Sequence, residues 1–204
     1  MASFVKELGL GKIILVGHSL GSRSAMIYSA ENPDGISHLI LVAGPHYVNL
    51  VPSEHIDKEF FEEQARKQES TQVRFSSIEE VIQRLRATSL PYYGLCSDDT
   101  LRHVALHNTK KTLDGSLEWK WDKEAVGQTL RQVPGDLRPY IKRITCPVLI
   151  PWGKRALDLT PERVEFVKPF FPTAHWEFIE GTDYFMYLER PRSLAKVIKE
   201  FLAP

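Results

Sequence analysis

The chain has 204 residues, 43% of them hydrophobic, and its 26 Lys and Arg are balanced by 26 Asp and Glu, so its formal charge is zero. That is enough chain to bury one core; a balanced charge without a run of like-charged residues excludes the basic footprint of a nucleic-acid binder. Cys96 and Cys146, two thiols at unrelated spacing, make neither a disulfide framework nor a zinc knuckle and suit a reducing, cytoplasmic setting. The opening residues lack the basic start and apolar centre of a signal peptide, and no stretch reaches the roughly 20 apolar residues of a membrane span, so no membrane partner is expected.

In chain order, Ile13-Ile14-Leu15-Val16 reads as a strand, and residues 20–31 read as a helix stopped by Asn32-Pro33-Asp34-Gly35. Leu39-Ile40-Leu41-Val42 is a second strand. These runs are continuous rather than alternating, the pattern of a parallel sheet covered on both faces. From residue 44 to about 137 the chain is more charged, with no strand-like run. Ser77-Ile78-Glu79-Glu80 is a capping box ahead of a face of Ile78, Val81, Ile82 and Leu85. Ser97 or Asp98 caps a helix bearing Leu101, Val104 and Ala105, and a weaker helix follows Trp119-Lys120-Trp121 over 125–130. Phe60, Phe61, Trp119 and Trp121 read as core residues rather than pocket lining.

Val148-Leu149-Ile150 returns to strand character, and Thr160-Pro161 supplies an N-cap and a first-turn proline for a helix with Val164, Val167 and Phe170 or Phe171 on one face. Trp176-Glu177-Phe178-Ile179 is a fourth strand. Leu194, Val197, Ile198, Phe201 and Leu202 then form one helical stripe. Strands alternating with helices predict an α/β layered fold.

Gly17-His18-Ser19-Leu20-Gly21 matches G-x-S-x-G. Chance alone gives this pattern in roughly 7% of chains this long, so context must carry the argument. Here it does, because a buried strand precedes the motif and a helix follows it. Two glycines permit a turn tight enough to raise the Ser19 hydroxyl above the sheet end, and the Leu20 N–H, at the helix start, faces a developing oxyanion. The competing reading is a glycine-rich turn with no chemistry. His18 is expected to point away from the serine and to serve packing or hydrogen bonding.

The stretch Gly-Lys-Ile-Ile-Leu-Val-Gly-His-Ser-Leu-Gly at 11–21 resembles the α/β-hydrolase superfamily, in its cap-bearing, esterase-like members. So do 37–45, the segment Ile144 to Gly153 and Gly181 to Pro191. The resemblance implies a partial α/β-hydrolase fold, a mostly parallel sheet with flanking helices, from residues 1–45 and 138–204, with a helical cap or lid insertion over 46–137. It also implies that the N-terminal part of the fold is missing, and with it the upstream loop that gives the family its second oxyanion donor. The 13–16 strand would then be an unpaired apolar edge, open to self-association.

Two positions depart from the family pattern. Ala156 stands where the acid of Gly-x-x-Asp is expected after Gly153, and the alternative acid position after the preceding strand holds Ala43. Asp158 is the nearest carboxylate, a displaced acid candidate. Tyr184 stands at the usual histidine in Gly181-Thr182-Asp183-Tyr184-Phe185-Met186-Tyr187-Leu188-Glu189-Arg190-Pro191. A phenol near pKa 10 is only about 0.1% ionised at pH 7, whereas imidazole near 6.5 is mostly neutral and ready to accept a proton. A tyrosine at 184 can hydrogen-bond Ser19 without activating it. His46, beyond the second strand, is a surrogate base candidate; His175 should lie at the opposite edge of the sheet. His103 and His107, at i and i+4, have a metal-binding spacing but no third ligand in sequence, so no metal is expected. His38 and His55 carry no motif.

Two functions are compatible with these residues. One is a serine hydrolase acting on a carboxylic ester or related acyl substrate through Ser19, with no cofactor, since serine acyl chemistry requires none. The other is a catalytically impaired member that binds a small apolar ligand or a protein partner.

Overall fold

The computed structural model describes residues 1–45, 50, 58–71, 73–87, 93–132, 135–156 and 160–203. In chain order the elements are α1 (Ala2–Glu7), β1 (Ile13–His18), α2 (Leu20–Glu31), a 3-10 turn (Pro33–Gly35), β2 (Ile36–Val42), α3 (Lys58–Glu69), β3 (Arg74–Phe75), α4 (Ile78–Arg86) and α5 (Asp98–Asn108). They continue with β4 (Thr109–Lys111), β5 (Leu117–Trp119), α6 (Lys123–Gln132), α7 (Arg138–Ile141), β6 (Val148–Gly153), α8 (Pro161–Val167), a 3-10 turn (Lys168–Phe170), β7 (His175–Ile179), α9 (Met186–Glu189) and α10 (Pro191–Leu202). They fall into two units, Met1–His55 with Gly135–Pro204, and Ile56–Pro134.

The first unit is built on a four-stranded sheet in the order β1-β2-β6-β7, parallel throughout. Alternation along β2 sends Leu39 and Leu41 to one face, with Val148, Ile150 and Trp152 of β6, against Ala25 and Met26 of α2, Ile141 of α7 and Val167 of α8. Ile40, Val42 and Leu149 face the other way, onto Met186, Leu194 and the half-buried Val197, Ile198 and Phe201. A strand buried on both faces has no polar side to show, which is why its sequence is a continuous apolar run. The α10 stripe is the one its i, i+3, i+4 spacing predicts; each side chain so buried is worth about 1.5–3 kcal/mol when burial is complete.

β1 differs. Among the described residues it pairs only with β2, in register from Ile14 opposite His38 to His18 opposite Val42. Its Leu15 packs into the α2 side of the core, but Ile14 and Val16, on the other face, are 49% and 53% exposed. No residue of α1 is buried.

In the second unit the expected helices are present as α4, α5 and α6. Ser77 Oγ accepts from Glu80 N–H at 3.2 Å, and Ser97 Oγ from Thr100 N–H at 3.2 Å. The Glu80 carboxylate accepts from Ser76 N–H at 2.6 Å, one residue before the cap. α3 and α6 are joined where Arg131 meets Glu62 at 2.8 Å and Glu69 at 2.5 Å. Phe61 and Trp119 are buried as expected, whereas Phe60 is exposed.

The expectation of no strand between 44 and 137 is corrected by the antiparallel sheet β3-β5-β4. Its strands are two or three residues long, too short to show a period. Phe75 opposite Leu117, with Trp119, supplies its buried side. Glu118 holds its outer side through Lys110 at 3.0 Å and Arg74 at 3.9 Å, cross-strand pairs that local sequence does not reveal. Among the described residues no helix is long and apolar enough to cross a membrane.

Candidate active site

All four strands of the parallel sheet run the same way, so the segments that follow them gather at its C-terminal edge, where open α/β sheets bind ligands. Ser19 follows β1, Ala43 follows β2, residues 154–156 follow β6 and residues 180–184 follow β7. His175, at the start of β7, lies at the opposite edge as expected, 3.6 Å from Glu177.

Ser19 has φ 53° and ψ −119°, a conformation that costs an L-residue about 1–3 kcal/mol and persists only where its surroundings enforce it. The enforcement is visible. Ser19 N–H donates to Val42 C=O at 3.1 Å, tying the turn to the end of β2. Gly17 lies so close to the start of α2 that a Cβ there would be 2.6 Å from Gly21 O and 2.7 Å from Ser22 N. Ser22 Oγ, buried, donates back to Gly17 C=O at 2.9 Å. The two motif glycines thus differ: Gly17 is required by space, whereas a Cβ on Gly21 would meet open space. Leu20 begins α2, so its N–H is among the first-turn donors that have no acceptor within the helix and are available to an anion.

Tyr184 Oη donates a hydrogen bond to Ser19 Oγ. The contact that the sequence allows between Ser19 and Tyr184 is thus made across 165 residues. The loop carrying Tyr184 is fixed at several points. Thr182 Oγ1 donates to Ile179 C=O at 2.8 Å, and Arg155 N–H to Thr182 C=O at 2.9 Å. A Cβ on Gly153 would overlap Asp183 O, so only glycine lets β6 approach the loop. Glu189, buried, accepts from Asp183 N–H at 2.6 Å. Burial pushes the Glu189 carboxyl above its ordinary value and Asp183 adds to the shift, against the pull of backbone N–H groups and Arg155.

His18 was expected to serve packing or hydrogen bonding, and its ring packs on the Tyr184 loop, with centroids 5.0 Å from Tyr184, 5.6 Å from Phe185 and 4.9 Å from Tyr187. Its Nε2 lies 3.3 Å from Tyr184 O. The expected role, packing and hydrogen bonding, is the one observed; its partner, a loop 166 residues away, carries no local signal.

Ala156, at the usual acid position, is buried beside Val167 and Phe171 in the core. Asp158, His46 and His55 lie outside the described residues. His38 packs its ring on Phe201, 5.4 Å between centroids. His103 and His107 of α5 bring their rings to 4.2 Å, but among the described residues no three His, Cys, Asp or Glu gather as metal ligands. A shallow cleft between α4 and α5 is lined by Glu79, Arg86, Asp98 and Arg102, and these charges pair with one another, Arg86 with Asp98 and Arg102 with Glu79.

Residues 1–77 match a family model described as alpha/beta hydrolase fold. The whole chain is similar to the 2-(acetamidomethylene)succinate hydrolase of Mesorhizobium japonicum, 25% identical over 99% of this chain and 68% of that protein. It is also similar to the mouse sn-1-specific diacylglycerol lipase ABHD11, 22% identical over 100% of this chain and 63% of that protein. The crystal structure of E-2-(acetamidomethylene)succinate hydrolase superposes with a TM-score of 0.81, 26% identity, and coverage of 98% of this chain and 70% of that one. These matches indicate the α/β-hydrolase superfamily, and the fold is that of the superfamily. The chain spans about two thirds of the length of these relatives.

Proposed function

We propose that the chain is a serine hydrolase-type protein that reacts with a carboxylic ester or related acyl compound through Ser19, with the Leu20 N–H as oxyanion donor. The observation that carries this reading is the strained Ser19 conformation, φ 53°, at a strand-to-helix turn whose close approach requires glycine at 17; strain of this kind clusters at reactive positions. Relatives named as a succinate-derivative hydrolase and a diacylglycerol lipase support the hydrolase class without selecting a substrate.

A specific observation favours a second reading. The group on Ser19 Oγ is a phenol that donates its proton, not an imidazole that accepts one. Triads that lose a member keep about 10³–10⁴-fold catalysis over water, so an impaired member that binds a small apolar ligand or a protein partner fits the same geometry. A fluorophosphonate probe followed by intact mass separates the two. Labelling of the parent that disappears in Ser19→Ala supports the first reading. Labelling that appears only in Tyr184→His supports the second, and an unlabelled pair of proteins leaves the turn purely structural and sinks the first.

A further inference from the structure

Helix α5 carries two imidazoles that take no part in its packing. His103 and His107 are exposed, one turn apart, with ring centroids at 4.2 Å, while Leu101, Val104 and Ala105 form the buried side of the helix. Among the described residues neither ring makes a hydrogen bond, an ion pair or a second ring contact. We infer that the pair is a two-nitrogen chelate for one divalent transition-metal cation, Cu²⁺ ahead of Ni²⁺ and Zn²⁺.

Residues four apart on a helix are surface neighbours. An ion held by two imidazoles at about 2.0–2.1 Å keeps its nitrogens about 2.9–3.3 Å apart. Rings whose centres are 4.2 Å apart reach that separation by turning about χ2, a torsion with a broad low-energy range. The backbone beneath them is held: Thr109 Oγ1 donates to Ala105 C=O at 2.7 Å, and Lys120 Nζ to His107 C=O at 2.7 Å. Donors already fixed on a folded helix give up little freedom on binding. His107 also lies in the last turn of α5, the end at which the helix dipole favours a cation.

The donor set selects the ion. The Lys120 ammonium at the His107 carbonyl repels a cation, and Glu79 and Asp98 are engaged by Arg102 and Arg86. Attraction therefore comes from nitrogen coordination rather than from charge. Imidazole suits Cu²⁺, Ni²⁺ and Zn²⁺, with Cu²⁺ bound most tightly, whereas Mg²⁺ and Ca²⁺ require oxygen ligands. Among the described residues no third His, Cys, Asp or Glu joins the pair, and a closed structural zinc site takes four ligands. The bound ion thus keeps water at its remaining positions and is exchangeable. Because the chelate needs α5 folded, the metal stabilises the folded unit by mass action.

The test titrates Cu²⁺, Ni²⁺, Zn²⁺ or Mg²⁺ into the full chain by calorimetry and records the electron paramagnetic resonance spectrum of the Cu²⁺ complex. Expected are one ion per chain, Cu²⁺ bound most tightly, no binding of Mg²⁺, and coupling of the copper to two nitrogens. His103→Ala and His107→Ala each weaken Cu²⁺ binding about tenfold or more, no less than the loss of an outer-shell partner costs a metal site. The exchange His107→Asn with Asn108→His keeps both imidazoles but turns them to different sides of the helix, and weakens binding as much; circular dichroism checks that each variant is folded. His175→Ala, which removes the imidazole beside Glu177, leaves binding unchanged. Parent-like affinity in the single variants or in the exchange, loss of binding in His175→Ala, or a parent chain that takes up no Cu²⁺ at millimolar concentration overturns the inference. None of these outcomes involves Ser19, so the proposed function stands or falls separately.

Discussion

Ser19 occupies a backbone conformation that costs stability. Glycine tolerates positive φ without the Cβ clash that makes it costly for serine. Ser19→Gly is therefore expected to be about 1 kcal/mol more stable than Ser19→Ala in urea unfolding, even though glycine normally destabilises relative to alanine. The ordinary order, alanine above glycine, would show that the turn is not strained. The position of Ser19 was legible because strand, G-x-S-x-G and helix are contiguous, so neighbouring residues alone dictate the turn. Tyr184 was legible only through the family pattern around Leu188-Glu189-Arg190-Pro191. The hydrogen bond of His18 to the same loop was not legible at all, since it depends on tertiary approach of segments 166 residues apart.

The element that presents Tyr184 is the turn between β7 and α9, and its lock is Glu189, the last residue of α9. The carboxylate accepts from Asp183 N–H while its other oxygen, Oε1, is buried without a partner. Burial and Asp183 raise its folded pKa above the unfolded value near 4.3. The folded protein thus holds this proton more tightly than the unfolded chain, and stability from Glu189 is full below about pH 4.3 and is lost as pH rises through the raised folded value. Glu189→Gln keeps an acceptor oxygen and removes the charge, so its stability relative to the parent should grow from pH 4 to pH 7, measured by urea midpoints at three pH values. A difference independent of pH would mean that Glu189 is not desolvated. The same contrast governs what could be read for whole elements. α2 and α10 carry their burial pattern within a dozen residues, whereas β3, β4 and β5 exist only through partners across the sheet, such as Glu118 between Arg74 and Lys110.

Over the whole first unit, the two faces of the parallel sheet are covered unequally. α2, α7 and α8 pack on one face along its length, while α10 covers the other over β2, β6 and β7 and leaves Ile14 and Val16 of β1 open. Phe4, Leu8 and Leu10, just before β1 in sequence, are also exposed. An apolar edge strand offers unpaired N–H and C=O groups together with apolar side chains, the combination that invites strand pairing. A formal charge of zero removes the repulsion that would keep copies apart. We therefore propose that two copies of the chain associate through residues 13–16. Sedimentation at micromolar concentration should show a species of twice the chain mass, and Val16→Lys, which places a charge on the open face without touching the α2 side of the core, should return it to monomer. A parent chain that sediments as a stable monomer over that range rules the pairing out; association that survives Val16→Lys assigns it to another surface.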